Sequence, residues 1–290
     1  MIQTISNNHL SVTVVSKGAE LQSIYGKQNS IEYMWSGDPA YWGKKSPVLF
    51  PTVGELKNQA YTYNGQQYKL SRHGFARELE FELTQHSEDS LMFSLKHDEQ
   101  TLAIYPFEFL FSVKYTLVEN LLQVSYIVEN KGNQTMYFSV GGHPAFKVPL
   151  VEGTTYEDYR LVFNKNETAS RHLLSADGLI EDRTSPLLHN ENVLPLTKEL
   201  FANDAIVLKE LASTSVSIKS TKTSHSVTVG FEGFPYLGIW EGKGGDFVCI
   251  EPWCGIADSV NASGRLEEKE GINRLQPAEI FVASFTIAVA

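Results

Sequence analysis

The chain has 290 residues and a formal net charge of −10, with 42% hydrophobic and 20% charged residues. This composition is ordinary for a globular protein, and the length suits one large β-domain or two smaller domains. An acidic surface repels phosphate backbones, so the charge argues against nucleic acid as a partner.

Alternation of apolar and polar residues predicts strands along most of the chain. The N-terminal segment lacks a secretory signal pattern and contains the first predicted strand, "HLSVTVVS". In the middle, "FLFSVKYTL" and "LLQVSYIVEN" predict an antiparallel hairpin with one buried face. "SVSIKST", "HSVTVGFEG" and the C-terminal "IFVASFTIAVA" predict further strands. Helical periodicity is scarce, and the best candidate for a helix is residues 197–211.

Turn-forming clusters such as "NKGNQ" and "YNGQQ" separate these strands, and we find no linker, low-complexity tract or internal repeat. Many short strands without intervening helices favour a sandwich or barrel over a parallel α/β sheet. We therefore predict a single all-β domain that spans residues 1–290. No apolar run is long enough to cross a bilayer, so we expect a cytoplasmic protein without a membrane partner.

Four segments interrupt the strand pattern with polar residues beside glycine, proline or tryptophan: residues 44–56, 71–81, 138–146 and 247–259. In the second segment, His73 lies between Arg72 and Arg77. Its imidazole could donate a hydrogen bond to a ligand hydroxyl, and an arginine could hold an anionic or oxygen-rich group. The alternative is a polar loop with solvated charges.

The third segment places His143 between Gly142 and Pro144. Glycine allows close approach of the backbone, and proline restricts the residue before it. A histidine held in this way is suited to proton transfer near neutral pH. The alternative is a histidine whose hydrogen bonds are satisfied within the fold.

The fourth segment places Glu251 after the apolar residues 247–250 and before Pro252 and Trp253. A carboxylate at the end of a strand and beside a tryptophan can be desolvated and act as a base. It could equally be a charge paired with an arginine. Trp253, together with Trp35, Trp42 and Trp240, could stack on a sugar ring, although single tryptophans more often belong to the core.

Other common motifs are absent. The sequence has no phosphate-binding loop, nucleophile elbow or zinc-binding helix. Its two cysteines, Cys249 and Cys254, have a spacing that fits neither a disulfide framework nor a zinc site. We therefore expect no metal and no cofactor.

The segments "GAELQSI", "PVLFPTVG", "HGFAR", "YPFEF", "GGHPAF", "YLGIW" and "IEPWCG" occur in this order between Gly18 and Gly255. As an ordered set they resemble the aldose 1-epimerase (galactose mutarotase-like) family, and within it the LacX-like branch. The resemblance implies a large antiparallel β-supersandwich with few short helices and a sugar-binding cleft on one concave sheet.

The resemblance also implies roles for individual residues. His143 matches the general acid, Glu251 the general base and His73 a histidine that orients the substrate. Asp204 matches an aspartate that binds sugar hydroxyls, and Arg77 resembles an arginine that binds phosphate in hexose-6-phosphate epimerases. Near Lys44 and Lys45 the family usually has an arginine. Lysine cannot form the same bidentate contact, and this difference affects the identity of the substrate more than the type of reaction. We keep Lys44 as a predicted substrate contact.

The implied reaction interconverts the α and β anomers of a hexose. Glu251 would take the proton of the anomeric hydroxyl while His143, as an imidazolium, would protonate the ring oxygen. We expect these two side chains to meet across a space the size of a pyranose. The alternatives are a hexose-6-phosphate epimerase, a glycoside hydrolase that uses Glu251 and Asp204, and a sugar-binding protein without catalysis. The expected partner is a small sugar, and whether two copies form a homodimer is left open.

Overall fold

The computed structural model describes residues 1–290, and strands account for most of its regular structure. In chain order they are β1 Ile2–Ser6, β2 Leu10–Val15, β3 Leu21–Gly26, β4 Ile31–Glu32, β5 Val48–Leu49, β6 Ala60–Tyr63, β7 Gln66–Lys69, β8 Glu82–His86, β9 Ser90–Lys96, β10 Phe109–Val118, β11 Leu121–Asn130, β12 Met136–Phe138, β13 Val140–Gly142, β14 Ala145–Lys147, β15 Tyr159–Leu174, β16 Ile180–Pro195, β17 Ile206–Lys209, β18 Ser215–Ser220, β19 Val227–Gly230, β20 Tyr236–Trp240, β21 Phe247–Cys254, β22 Asn273–Leu275 and β23 Ile280–Val289.

These strands form one large antiparallel sheet and three small ones. The large sheet has 15 strands, and its main path runs β5-β13-β21-β20-β17-β15-β18-β19-β23-β11-β10-β9-β8, while β14 pairs with β21 and β16 with β15. Strands β1 to β4 form a second sheet in sequence order, and β6-β7 and β12-β22 form two-stranded sheets. The prediction of an all-β fold is confirmed.

The central hairpin shows why the alternating pattern was informative. Strands β10 and β11 pair antiparallel along their whole length, from Phe109 opposite Asn130 to Val118 opposite Leu121. The apolar residues on one face of β10, from Phe109 to Leu117, are all at most 4% exposed. Successive side chains of a strand point to opposite faces, so this set buries together.

The large sheet folds back so that its two ends pack face to face. Phe50, directly after β5, stacks on Phe111 of β10 with ring centroids 4.4 Å apart, although these strands are far apart in the sheet order. A Cβ at Gly142, the last residue of β13, would lie 2.6 Å from the hydroxyl oxygen of Tyr126 in β11. Glycine is therefore required there by close approach of the two layers. The resulting core also includes residues of the β1–β4 sheet, such as Val12.

Helices are few and short, as expected, and only one of them lies in the segment that the sequence favoured. The one α-helix is α1, Glu99–Ile104, and it begins with a capping box in which Asp98 accepts from the amide of Thr101. The 3₁₀ helices are Lys57–Gln59, Ala76–Glu78, Tyr156–Asp158, Lys198–Phe201 and Leu266–Glu268. None of the helices is long and apolar enough to span a membrane.

Residues 197–211 were the best candidate for a helix of as little as one or two turns, and the structure has a single helical turn at the start of this segment. Only Lys198–Phe201 is helical, and Ile206–Lys209 forms β17 between β15 and β20. Asp204 has a φ of +72°, which ends the helical geometry. The apolar residues that follow are buried within the sheet, and this packing outweighs their local helical pattern.

Candidate active site

A cavity of about 540 Å³ opens beside the middle of β21, within the size range of sites that bind small molecules. Six of the seven side chains predicted from the sequence line this cavity, namely His73, Arg77, His143, Asp204, Glu251 and Trp253. They come from segments far apart in the chain, so the fold brings the predicted site together.

Strand β21 supplies the floor of the cavity. All eight of its residues are buried, and Cys249, Glu251 and Trp253 share one face because side chains alternate along a strand. The strand continues through Cys254, so Glu251 lies within it and not at its end as the sequence suggested. Opposite Glu251 on β20 is Gly238, which has no side chain and leaves room for the indole of Trp253.

On the side of β21 away from β20, strand pairing is interrupted beside the predicted catalytic residues. Strand β14 pairs with residues 247–249 and β13 pairs with residues 253 and 254, and the loop that contains His143 lies between them. The amide of Ile250 donates to the carbonyl of Pro144 in this loop. Because amides alternate in direction along a strand, the missing N–H of Pro252 faces the same gap. The interruption lets the side chains of His143 and Glu251 meet.

His143 and Glu251 form a close pair. Nε2 of the imidazole lies 3.3 Å from Oε2 of the carboxyl, and these side chains are 10% and 2% exposed. The expectation that a sugar ring separates them is therefore wrong. Strand β21 and the adjoining loop hold both groups on one side of the cavity. A sugar must lie over the pair instead of between its members.

Burial shifts the pKa of each member of the pair towards its neutral form. It raises the pKa of Glu251 well above its usual range. The indole of Trp253 lowers this pKa, and the charge of Asp204 raises it further. Burial also lowers the pKa of His143 to about 3, and the positive charge of Arg77 adds to this effect. These shifts favour a neutral imidazole on His143 and a protonated carboxyl on Glu251 in the unliganded site. The role of His143 as an imidazolium stays a prediction for the site with a sugar bound.

His73 is held as a neutral hydrogen-bond donor. The amide of Gly54 donates to Nδ1 of the imidazole over 3.1 Å, so the ring proton is on Nε2. Burial lowers the pKa of His73 well below its usual value, and His143, Arg77 and Arg72 add to this effect. Its φ of +67° is unusual for a non-glycine residue. Such backbone geometry is often found where a side chain must be aimed at a ligand.

Two tryptophans form aromatic walls beside the acid–base pair. The indole of Trp42 stacks on the imidazole of His143 with centroids 4.8 Å apart, and the indole of Trp240 meets the same ring edge to face at 5.6 Å. Both line the cavity. Trp253 lines it as well, with a buried Nε1 that has no hydrogen-bond partner in the protein. Trp35 packs against Phe247, and its Nε1 donates to the carbonyl of Trp42.

The charged residues of the lining differ in how far they are already paired. Arg72 donates from Nε to Glu55 over 3.2 Å, whereas Nε of Arg77 is buried without a hydrogen-bond partner. Asp204 is exposed at the mouth of the cavity, and its Oδ1 accepts from the amide of Ala205. Asp204 is therefore open to a ligand, whereas Arg77 is partly engaged, because its Nη2 donates to the carbonyl of Arg72 over 2.9 Å and its Nε lies 3.9 Å from Oε1 of Glu78.

Lys44 is the one predicted site residue that the fold places elsewhere. Its ammonium group pairs with Oε1 of Glu78 at 2.7 Å, and the side chain does not line the cavity. Lys17 approaches the same carboxylate at 3.2 Å. This ion-pair cluster explains why Lys44 is turned away from the site, and the prediction that it contacts substrate is not supported by the geometry.

Comparison with known proteins agrees with this site. A family model for aldose 1-epimerases matches residues 1–272. The chain is 36% identical over 295 residues to the plasmid-encoded protein LacX of Lactococcus lactis subsp. lactis, with 98% of each chain covered. The chain belongs to the aldose 1-epimerase family.

Solved structures agree with this assignment. A galactose mutarotase related enzyme from Lactobacillus acidophilus superposes with a TM-score of 0.95 at 39% identity, over 100% of this chain and 97% of the other. A galactose mutarotase-like protein from Lactobacillus casei ATCC 334 gives a TM-score of 0.94 at 28% identity, over 100% of both chains. The predicted resemblance is confirmed, and the chain is an isomerase with the galactose mutarotase-like fold.

A buried thiol lies close to the acid–base pair of this epimerase, although Cys249 does not line the cavity. Cys249, His143 and Glu251 each offer one donor atom, and these atoms lie within 4.8 Å of one another. Burial raises the pKa of Cys249 well above its usual value, so the thiol stays protonated. This set could hold a metal ion only if the thiol lost its proton.

The structure adds residues to the epimerase site that the sequence did not single out. Glu241 and Phe201 line the cavity, as do Leu174, Gly178 and Ile180 around the turn of the β15–β16 hairpin. A signal for Glu241 was present, because it directly follows the apolar segment "YLGIW" of β20. The hairpin residues carried no such signal, since apolar residues near a turn are not specific to a ligand site.

Proposed function

We propose that this epimerase interconverts the α and β anomers of a free hexose, with Glu251 as general base and His143 as general acid. The observation that supports this most directly is the contact of 3.3 Å between Nε2 of His143 and Oε2 of Glu251 on the cavity floor. Apart from this imidazole, Oε2 has no polar partner in the protein. A buried carboxyl with so few partners gains from a ligand that forms hydrogen bonds with it.

The close contact suits this reaction because both reacting oxygens are bonded to the same carbon. The anomeric hydroxyl and the ring oxygen are substituents of C1, so one acid and one base on the same side of the ring can reach both. Ring opening takes a proton from the hydroxyl and gives one to the ring oxygen. A pair that holds one proton before the step and one after it meets this requirement.

The proton must first move from Glu251 to His143. We propose that it does so as the sugar binds. The anomeric hydroxyl then donates to the carboxylate of Glu251 and stabilises its charge, and the ring oxygen accepts from the imidazolium of His143. After ring opening, rotation about the C1–C2 bond exposes the other face of the aldehyde. Reclosure with the roles of the two groups exchanged gives the other anomer.

The remaining residues would position the sugar. Nε2–H of His73 would donate to a ring substituent, Asp204 would accept from sugar hydroxyls, and Trp42 and Trp240 would pack against the apolar face of the ring. These contacts hold C1 over the acid–base pair. Correct placement of reacting groups is itself a large part of catalysis.

The test is the rate of mutarotation of freshly dissolved α-D-glucose and α-D-galactose, followed by polarimetry. We expect His143→Asn and Glu251→Gln to lower turnover by roughly 10² or more while sugar affinity stays within about tenfold. His86→Asn and Glu82→Gln change matched residues on β8, outside the cavity, and serve as controls. Site variants that turn over at the rate of the controls would contradict the assigned pair.

Chelation separates acid–base catalysis from metal catalysis at the cysteine-containing cluster. Because the proposed steps use side chains alone, treatment with EDTA should leave the mutarotation rate unchanged. A rate that falls with EDTA and returns on adding Zn²⁺ would instead support a metal at His143, Cys249 and Glu251.

A second candidate substrate is a hexose 6-phosphate. The observation in its favour is the buried Nε of Arg77, which lines the cavity without a partner. A phosphate group would supply charged acceptors for this guanidinium. Mutarotation rates of free and 6-phosphorylated hexoses compared in wild type and Arg77→Ala would decide. A preference for the phosphorylated sugar that disappears in Arg77→Ala supports the second candidate, and no preference supports the first.

A further inference from the structure

Glu241 is a buried acidic residue in the cavity wall that the acid–base mechanism does not use. It directly follows β20, is 5% exposed and lines the cavity. Its Oε1 is buried without a hydrogen-bond partner in the protein. An unpaired carboxyl is costly to bury, so the wall is expected to gain from a ligand that donates to it.

Lys198 is the cation whose charge acts on the pKa of Glu241, but it forms no ion pair with this carboxyl. Lys198 donates to the carbonyl of Gly245, lies 3.4 Å from Asp246 and sits 3.6 Å above the ring of Tyr156. None of the ion pairs within 4.0 Å includes Glu241. Burial raises the pKa of Glu241. The charge of Lys198 and the amides of Gly245 and Gly244 lower it, but burial has the larger effect. The carboxyl is therefore available to a ligand.

Glu241 and the predicted sugar contact Asp204 lie at the same end of one strand pair. Asp204 precedes β17 and Glu241 follows β20, and these strands pair antiparallel with Ile206 opposite Ile239. Both residues line the cavity. The two arginines of the lining lie near His73 instead, because their charges act on its pKa. The lining also contains Lys243, two residues after Glu241, and Glu55, which pairs with Arg72.

We propose that Glu241 is a specificity-determining contact that accepts a hydrogen bond from a sugar hydroxyl next to the one held by Asp204. This inference rests on the proposed function for the identity of the ligand as a sugar. It defines the substrate class further. The sugar has free hydroxyl or amino donors on the part of the ring that reaches Asp204 and Glu241. Any phosphate on this sugar would be held by Arg77, whose guanidinium suits a charged acceptor.

The test measures equilibrium binding, so that it does not depend on turnover. Trp42 and Trp240 line the cavity, and their fluorescence should report titration with D-glucose, D-galactose and the monodeoxy derivatives of each. We expect Glu241→Ala to weaken binding of the parent sugars by about tenfold, as for the loss of a hydrogen bond to a buried charged group. For the deoxy sugar that lacks the partner hydroxyl, wild type and variant should bind equally.

Two further variants complete the design. Glu241→Gln keeps an acceptor oxygen and should recover part of the affinity, and it replaces Glu241→Ala if that variant does not fold. Glu232→Ala, an exposed residue outside the cavity, should bind every sugar as wild type does. A loss that is the same for all deoxy sugars, or a fall in kcat with KM unchanged, would overturn the inference. Sugar binding with this pattern but without mutarotation would overturn only the proposed function.

Discussion

At the scale of single residues, the site gives up stability to place a titratable pair on a buried floor. Glu251 is 2% exposed and its Oε2 has no hydrogen-bond partner in the protein. Both features are unfavourable in the free protein, yet they keep the proton of the pair close to the reacting carbon of a bound sugar. Strain and unsatisfied groups of this kind are typical of sites that function at the expense of stability.

This trade-off predicts that Glu251→Gln is more stable than wild type near neutral pH. Because the folded-state pKa of Glu251 is raised above its ordinary value of 4.5, the folded protein keeps a proton that the unfolded chain releases. The free energy of unfolding therefore falls as the pH rises from 4.5 towards the raised pKa of the folded protein. Glutamine has no such proton, so its advantage should be absent below about pH 4 and grow towards pH 7.

Thermal unfolding at pH 4 and pH 7 tests this, since each kcal/mol of added stability raises the midpoint by about 2–4 °C for a chain of this size class. Glu82→Gln, on the exposed strand β8, should show no such dependence. A Glu251→Gln variant that melts below wild type at pH 7 would instead indicate a stabilising ion pair with His143 in the unliganded protein.

At the scale of elements, the site depends on a glycine and on an interruption of the sheet. Gly238 on β20 lies opposite Glu251, and a Cβ there would be 2.3 Å from Cζ2 of Trp253. On the other side of β21 the partner strand gives way to the loop of His143. The pairing of β21 with β20, β13 and β14 therefore determines where the floor of the cavity is open.

We predict that Gly238→Ala displaces the indole of Trp253, lowering stability by about 1–3 kcal/mol through overpacking. Displacement of a floor residue should also lower the mutarotation rate about tenfold or more, because small misplacements reduce catalysis strongly. Denaturant unfolding and polarimetry measure the two effects. At Gly132 an added Cβ would meet ordinary contacts of 3.5 Å or more, so Gly132→Ala is the matched control. Equal behaviour of the two variants would contradict this role of Gly238.

At the scale of the whole molecule, one continuous core links the sheets. A cluster of 64 buried residues includes side chains of the β1–β4 sheet and of both ends of the large sheet. No part of the chain can separate without exposing part of this cluster to water. The expectation of a single domain over residues 1–290 stays a prediction that this core supports.

If the chain is one domain, it should unfold in one cooperative transition. Scanning calorimetry should then give a single peak whose calorimetric and van't Hoff enthalpies agree. Two resolved transitions would contradict the single domain. The same comparison repeated at several protein concentrations would show whether a homodimer contributes, because only a dimer gives a midpoint that depends on concentration.

Much of this fold and site could be predicted from the sequence because the relevant signals are local. The hairpin of β10 and β11 follows from alternation within each strand, and His143 and Glu251 stand out through their immediate neighbours. The segment at residues 197–211 shows the limit of local signals. Its helical pattern is overridden by burial of Ile206 and Leu208 between two strands that are distant in sequence.

The sequence by itself determined the strand-rich architecture, the family and six of the side chains that line the cavity. Only the tertiary structure decided that His143 and Glu251 touch, that burial raises the pKa of Glu251, that Lys44 is held by Glu78, and that Oε1 of Glu241 is buried without a hydrogen-bond partner. Each of these depends on distances and desolvation between segments that are far apart in the chain. Such quantities arise from packing, whereas strand periodicity and motif order are properties of the chain alone.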